Sequence, residues 1–303
     1  MGKYIIAGGS GFIGKHISSI LSQAGHQINI LTTRKEQVVL SNSSIQYIFW
    51  DPKKNYIDEN FKIIDGKLIN LAGAGVADKR WSTARKKEIL ESRISSLQTL
   101  YHAIEKKQIQ ITHLVSASAI GYYGEGDKIF TEKDSSDESF LSSTCRQWEE
   151  AAWQFAQLNI PVAIARVGIV MGKEGGALKE FIKPLRFGIA GIPSDGKQIY
   201  SWIHIEDISR LFIYLSDQNK EGIFNAVAPN PTSINQIFSA LIKHTKPFFI
   251  KLHAPSFILK IMLGEMSIEV LKSAIVSSKK IEDDGFKFKF SEIEACIENL
   301  MTS

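Results

Sequence analysis

Three glycines fall three residues apart in the stretch IIAGGSGFIG, at Gly8, Gly11 and Gly14, directly behind an apolar run. A strand that ends in such a loop and passes into a helix can bring bare backbone N–H groups up to an anion. One glycine makes the tight turn, one lets the backbone approach a pyrophosphate, and one lets helix and strand pack closely. Phe12 and Ile13, between the last two glycines, would open the helix whose amino terminus carries the partial positive charge. The chemistry expected of this spacing is the binding of a dinucleotide.

The end of the second apolar run bears on which dinucleotide. A carboxylate there would accept from a ribose 2′-hydroxyl, whereas an arginine suits a 2′-phosphate. The chain reads ILTTRK, with Thr33 and Arg34 and no acid. A planar guanidinium fork and a hydroxyl match phosphate oxygens, so the expectation is NADP(H). An ordinary exposed basic pair would look the same in sequence. Other polar groups stand out less. His204 and Asp207 in SWIHIEDI make either a catalytic pair or a hydrogen-bonded hinge, and Cys145 reads as structural. Lys173 and Arg186 could meet an anionic substrate.

These groups must be held by elements, and the first half of the chain alternates strand-like and helical runs. Strands are expected at Tyr4–Ala7, Gln27–Leu31, Ile45–Phe49, Lys67–Asn70, His113–Ser116 and Val162–Ala165. Helices are expected at His16–Gln23, Thr83–Lys106 and Cys145–Gln157. This alternation predicts an α/β fold of the Rossmann type, a doubly wound parallel sheet covered on both faces. After about residue 172 the pattern loosens into glycine-rich and proline-broken segments. The expected organisation is a nucleotide-binding domain over 1–171, joined by a later strand and helix around 201–228. A smaller, partly interleaved substrate-binding lobe would take up 172–303.

Composition narrows the class. Of 303 residues 44% are hydrophobic and 22% charged, ordinary values for a globular chain able to bury a core without staples. Two cysteines, Cys145 and Cys296, make no disulfide framework, and no Cys/His cluster has metal-ligand spacing. The net charge is +4, and the densest basic run, Lys79–Lys87, reads as a solvated helix face or as a flank for cofactor phosphates. No nucleic-acid motif accompanies it, so no nucleic-acid partner is expected. No stretch of about 18 apolar residues is present to span a bilayer. SFILKIMLG, Ser256–Gly264, is the most apolar helical segment late in the chain, but it is short and contains Lys260. No membrane partner is expected, the expected location is the cytoplasm, and the oligomeric state is left open.

GGSGFIG, NLAGAGVADKRW, SRISS, SASAIGYYG, WEEAA, RVGIVMGKEGGAL, SWIHIEDI and FNAVAPNP follow one another along most of the chain. In this order they resemble the extended short-chain dehydrogenases/reductases of the NAD-dependent epimerase/dehydratase superfamily, within a divergent branch often labelled epimerase family protein. The resemblance implies that Leu71 and Ala72 line the adenosine side of the cofactor and that Val170 lies near its nicotinamide end. It implies that Arg93 faces the cofactor phosphates, although an arginine on an amphipathic helix has a plain surface reading as well. Ser118 matches the family's catalytic serine.

The family's Tyr-x-x-x-Lys pair, which moves the proton while hydride transfers, has no counterpart here. One register places Leu141 and Cys145 there, the other Ser142 and Arg146. Tyr122 and Tyr123, on the loop after Ser118, are the candidates for the missing acid, unless they only pack the loop. The expected function is an NADP(H)-dependent oxidoreductase or epimerase on a small polar substrate, with a sugar nucleotide among the candidates. A non-catalytic NADPH-binding sensor or scaffold is the alternative.

Overall fold

The computed structural model describes residues 1–302 apart from 41–43 and 245–249, and leaves out the side chain of residue 127. Strand β1, Lys3–Ala7, runs into helix α1, Phe12–Gln23, and β2, Gln27–Thr32, leads through a short 3-10 turn to β3, Ile45–Asp51. The two-residue β4, Tyr56–Ile57, and then β5, Ile63–Asn70, precede the longest helix, α2, Thr83–Glu105. Next come β6, Ile109–Ala119, β7, Gly126–Phe130, helix α3, Phe140–Trp153, β8, Val162–Val167, and β9, Ile169–Met171.

The second half is more broken. Helix α4, Gly176–Leu185, is followed by β10, Ile189–Pro193, β11, Ile199–Tyr200, and β12, Trp202–His204. Helix α5, Ile205–Asp217, leads to β13, Gly222–Ala226, then β14, Thr232–Ser233, and α6, Ile234–Lys243. After β15, Ile250–Ala254, come α7, Ser256–Leu263, α8, Ser267–Leu271, β16, Ala274–Val276, α9, Lys279–Asp283, and α10, Ile293–Thr302.

Eight strands form one sheet in the order β13-β8-β6-β5-β1-β2-β3-β4, parallel throughout except for the antiparallel β3–β4 edge. The order reverses between β1 and β5, which makes the crevice beside them the ligand-binding switch point of a doubly wound sheet. Helices α1 and α5 pack together on one face, and α2 and α3 on the other. Burial on both faces explains why β1, β2 and β8 read as apolar runs without alternation. Each aliphatic side chain fully buried there contributes about 1.5–3 kcal/mol of transfer free energy.

Helix α3 begins at Phe140, five residues before the expected start. Ser139 caps it, its hydroxyl accepting from the Ser142 amide at 3.2 Å, a signal hidden within the polar run ESFLSS. Its expected last turn is a separate 3-10 segment, Gln154–Leu158. β13 completes the main sheet beside β8, pairing Gly222 with Ala163 through Ala226 with Val167. The carboxylate of Asp207, fully buried on α5, holds the segment that follows α9. It accepts from the backbone N–H of Lys289 and of Phe290, each at 2.9 Å, and from Arg210 at 2.8 Å.

Candidate active site: a dinucleotide cleft and a buried polar chain

The turn after β1 is shaped by what a side chain would meet there. Gly8 has φ +80°, and a Cβ on it would lie 2.8 Å from the Leu71 carbonyl carbon. A Cβ on Gly14 would strike the Gly8 carbonyl oxygen, so α1 sits directly against the turn. Gly11 occupies the N-cap position of α1 in an extended conformation and offers no capping side chain. The amides of the first turn, from Phe12 through Gly14, are left for a ligand, and no acidic residue competes for them.

A cleft of about 1010 Å³ opens from this turn at the carboxyl ends of the strands. Gly8 and Ser10 line one side, Thr32 and Thr33 the end of β2, and Asp51 to Lys53 the end of β3. Ala72, Gly73 and Ala74, together with Ser92, Ser95 and Ser96 of α2, close the opposite side. Of the expected cofactor contacts, Gly8, Thr33 and Ala72 line this cleft. Arg34 stands exposed next to Thr33, its amide donating to the Thr32 hydroxyl at 3.1 Å. Leu71 is half-buried and donates its amide to Ala7, which ties β5 to the glycine turn.

Phe12 turns away from the cleft toward the GKEGGAL loop. A Cβ on Gly172 would run into its ring, and one on Gly175 would lie 2.6 Å from its Cγ. Val170, on β9, leads into that loop and pairs with Ile203 of β12. The glycines of this loop thus make room for an aromatic ring from α1.

Arg93 is 9% exposed, with its guanidinium stacked on the Trp148 ring at 4.8 Å. One nitrogen, Nη1, donates to the carbonyls of Ile89, at 2.8 Å, and Ala74, at 3.1 Å. The arginine therefore braces the loop that floors the cleft. The Lys79–Lys87 run is largely paired: Arg85 is buried and bound to Glu88 at 2.7 Å, Lys86 reaches Glu265 at 2.5 Å, and Lys87 faces Glu91 at 3.6 Å.

Ser118 lies at the carboxyl end of β6 and is buried. Its hydroxyl donates to Glu149 Oε1 at 2.7 Å. Glu149, one turn before the end of α3, receives Arg166 in a two-point pair, Nε to Oε1 and Nη2 to Oε2, each at 2.8 Å. Arg166 Nη1 donates to the Tyr123 hydroxyl at 2.8 Å, and that hydroxyl donates to Asn225 Oδ1 at 2.7 Å. The chain Ser118–Glu149–Arg166–Tyr123–Asn225 crosses from β6 through α3, β8 and the loop after β6 to β13. Its continuity satisfies two buried charges that would each be costly alone.

Burial pushes the Tyr123 phenol up to about 12, even against the nearby guanidinium. Arg166 is held charged, since the Glu149 carboxylate outweighs the desolvation that opposes it. Tyr122 is placed differently: half-buried, it stacks on Arg166, whose guanidinium carbon is 3.4 Å from its ring centre. Its hydroxyl has no partner among the described residues. Cys145 is buried, which raises its thiol to about 11 and leaves it protonated and unreactive at neutral pH.

Glu149, Arg166 and Asn225 are the members of this site to which the sequence reading assigned no role, and the first two left a signal. Their signal is faint but physical. A lone arginine inside the apolar strand VAIARVGIV must find a buried counter-charge, and a glutamate inside WEEAA can supply it. Among the described residues no group of His, Cys, Asp and Glu is arranged to hold a metal ion.

Comparison with known proteins agrees with the topology and the glycine turn. Residues 4–226 match the model of the NAD dependent epimerase/dehydratase family, and residues 254–300 match a domain of unknown function (DUF1731). The chain is 33% identical to "Epimerase family protein YfhF" of Bacillus subtilis, over 98% of this chain and 97% of that one. Its fold is similar to that of the human epimerase family protein SDR39U1, crystallised with NADPH, at a TM-score of 0.85 and 23% identity over 99% of each chain. It is similar as well to MoeE5, crystallised with UDP-glucose and NAD, at a TM-score of 0.79 and 20% identity over 99% of this chain and 98% of that one. With its glycine turn, its sheet order and a matching relative along nearly its whole length, the chain belongs to the NAD dependent epimerase/dehydratase family.

Proposed function

We propose that this protein binds NADPH in preference to NADH and uses it to move hydride to or from a small polar substrate, a sugar nucleotide being the class to try first. The observation that carries the reading is the cleft itself. An uncapped helix start and glycines that leave no room for a Cβ stand at one end of it, and a strand end with Thr33 and Arg34 but no carboxylate stands at the other. These residues fit a phosphorylated dinucleotide. The amides of Phe12, Ile13 and Gly14 would take the pyrophosphate, Thr33 and Arg34 the 2′-phosphate, and Ala72 and Leu71 the adenosine side. When bound, the nicotinamide supplies the hydride.

Under this reading Tyr122 is the group that carries the proton. Its hydroxyl is uncommitted and its ring rests on a permanent cation, which favours the charge that develops on proton release. Ser118 and Tyr123 act through the buried chain and fix the loop that presents Tyr122. The ligands of the human protein and of MoeE5, NADPH and UDP-glucose, are the probes this suggests.

One observation favours a second reading, a non-catalytic protein that senses or is shaped by NADPH. The Ser118 hydroxyl is spent on Glu149, and α3 offers neither tyrosine nor lysine at the usual positions. The deciding experiment is a paired titration of NADPH and NADH followed by nicotinamide fluorescence, after which the oxidised cofactor is offered UDP-sugars as hydride donors and the reduced cofactor simple carbonyls as hydride acceptors. Reduction by the first or oxidation by the second that disappears with Tyr122→Phe supports the enzyme. Tight NADPH binding with no turnover by wild type supports the sensor. Equal binding of both dinucleotides, or none, would overturn the cofactor assignment.

A further inference from the structure

Helix α7, SFILKIML, is the most apolar helix of the second half, yet none of its residues is buried. Phe257 is 62% exposed, Ile261 69% and Met262 67%, and with Ile258 they occupy positions i, i+1, i+4 and i+5, a single stripe along the helix. Pro255 alone separates this helix from β15, which among the described residues pairs only with β10 in a two-stranded parallel sheet. In that register Ile189 stands opposite Ile250 and Gly191 opposite Leu252. Ala190 and Ile192 of β10 turn to the core, so Ile189, Ile250 and Leu252 stand together on the outer face, all exposed. Phe187, just ahead of β10, is 85% exposed, and parallel sheets rarely leave a face to water. Scattered surface apolar residues need no account, but an apolar helix stripe and an apolar sheet face one residue apart in the chain do.

The charges around the patch say what would cover it. Segments 176–198 and 250–272 hold seven Lys and Arg against four Asp and Glu. All four acids are already ion-paired: Glu180 with Lys183, Asp195 with Lys197, Glu265 with Lys86 and Glu269 with Lys272. Lys179, Arg186, Lys251 and Lys260 have no carboxylate partner among the described residues. Lys260 lies within the apolar helix, and the exposed Arg186 directly precedes Phe187. A second copy of this chain would bring like cations of this surface against one another. Strongly exposed apolar side chains flanked by unpaired cations suit a deformable anionic interface.

We propose that α7 and the outer face of the β10–β15 pair form a docking surface for an anionic lipid membrane, with the apolar stripe lying in the headgroup boundary and the unpaired cations meeting the lipid phosphates. Crossing a bilayer is not required: no helix among the described residues is long and apolar enough to do so, and lying on one needs only a stripe and its flanking charges. The surface is tied to the cleft. Gly264, which ends α7, lies against Arg80, and Glu265 pairs with Lys86 at the start of α2. Docking would therefore bring the rim of the cleft to the lipid.

The test is co-sedimentation of the full chain with phosphatidylcholine vesicles, with and without phosphatidylglycerol. Wild type is expected to partition to the anionic vesicles and to come off as salt is raised. Phe257→Ser with Ile261→Ser should lower partitioning about tenfold or more, since each buried methylene counts for about 0.8 kcal/mol. Arg186→Glu with Lys260→Glu should lower it about fivefold or more per cation on anionic vesicles alone. These side chains are exposed, so the melting temperature should hold, and circular dichroism checks it. No partitioning by wild type, or partitioning unmoved by both pairs of variants, overturns the proposal. So does a dimer in light scattering that Phe257→Ser/Ile261→Ser converts to monomer, because the stripe would then be a contact between copies.

Discussion

The Ser118 hydroxyl donates to Glu149 Oε1 at 2.7 Å, and the same carboxylate oxygen receives Arg166 Nε at 2.8 Å. The serine that the resemblance led us to expect in catalysis is thus one arm of a buried ion pair. Its removal should be felt first as stability. Ser118→Ala is expected to cost about 1–2 kcal/mol in a denaturant melt, because one acceptor site on a buried carboxylate loses its donor. NADPH affinity should stay within about twofold of wild type, the serine being no lining residue of the cleft. A loss of binding with unchanged stability would place Ser118 at the ligand after all.

Removing the other member is a harsher change. Glu149→Ala leaves the Arg166 guanidinium buried and uncompensated, with its links to Tyr123 and the Tyr122 ring under strain. A destabilisation of about 3–5 kcal/mol is expected, readable as a fall in the denaturant midpoint. The double change Glu149→Leu with Arg166→Met should recover much of it, since two apolar residues of similar volume leave no orphan charge.

Gly14→Ala should abolish dinucleotide binding. The added methyl strikes the Gly8 carbonyl, a backbone atom that cannot step aside without opening the turn. Gly172→Ala meets a side chain instead, the Phe12 ring, and should cost about 1–3 kcal/mol. Phe12→Ala combined with Gly172→Ala should cost less than the sum of the two single changes, a coupling that a double-mutant cycle measures.

The histidines give a direction with pH. Burial lowers His204 to about 4 and lowers His113 and His16 as well, so the folded chain holds fewer protons than the unfolded one below the ordinary histidine value of 6.5. The stability His204 contributes is whole above 6.5 and drains as pH falls toward 4, at up to about 1.4 kcal/mol per pH unit. His204→Asn should keep the cap on α5, because asparagine also caps well, and should flatten the melting profile across that window. An unchanged profile would assign the acid sensitivity to the other two.

Much of the fold could be read from the chain because its signals are local. Three glycines between a strand and a helix, apolar runs unbroken by alternation, and ILTTRK at a strand end need no knowledge of distant contacts. Backbone sterics and the covering of a parallel sheet on both faces decide them. The tertiary structure decided what depends on residues far apart in sequence. It paired Ser118 with Glu149, 31 residues on, and Tyr123 with Asn225, 102 residues on, so the hydroxyls that looked alike in SASAIGYYG have different fates. It turned Phe12 toward Gly172 and left α7 with its apolar face uncovered. Residue types state which groups are available. Which of them a buried charge claims is settled only when the chain has closed around them, since desolvation acts on the folded surroundings and on nothing in the sequence alone.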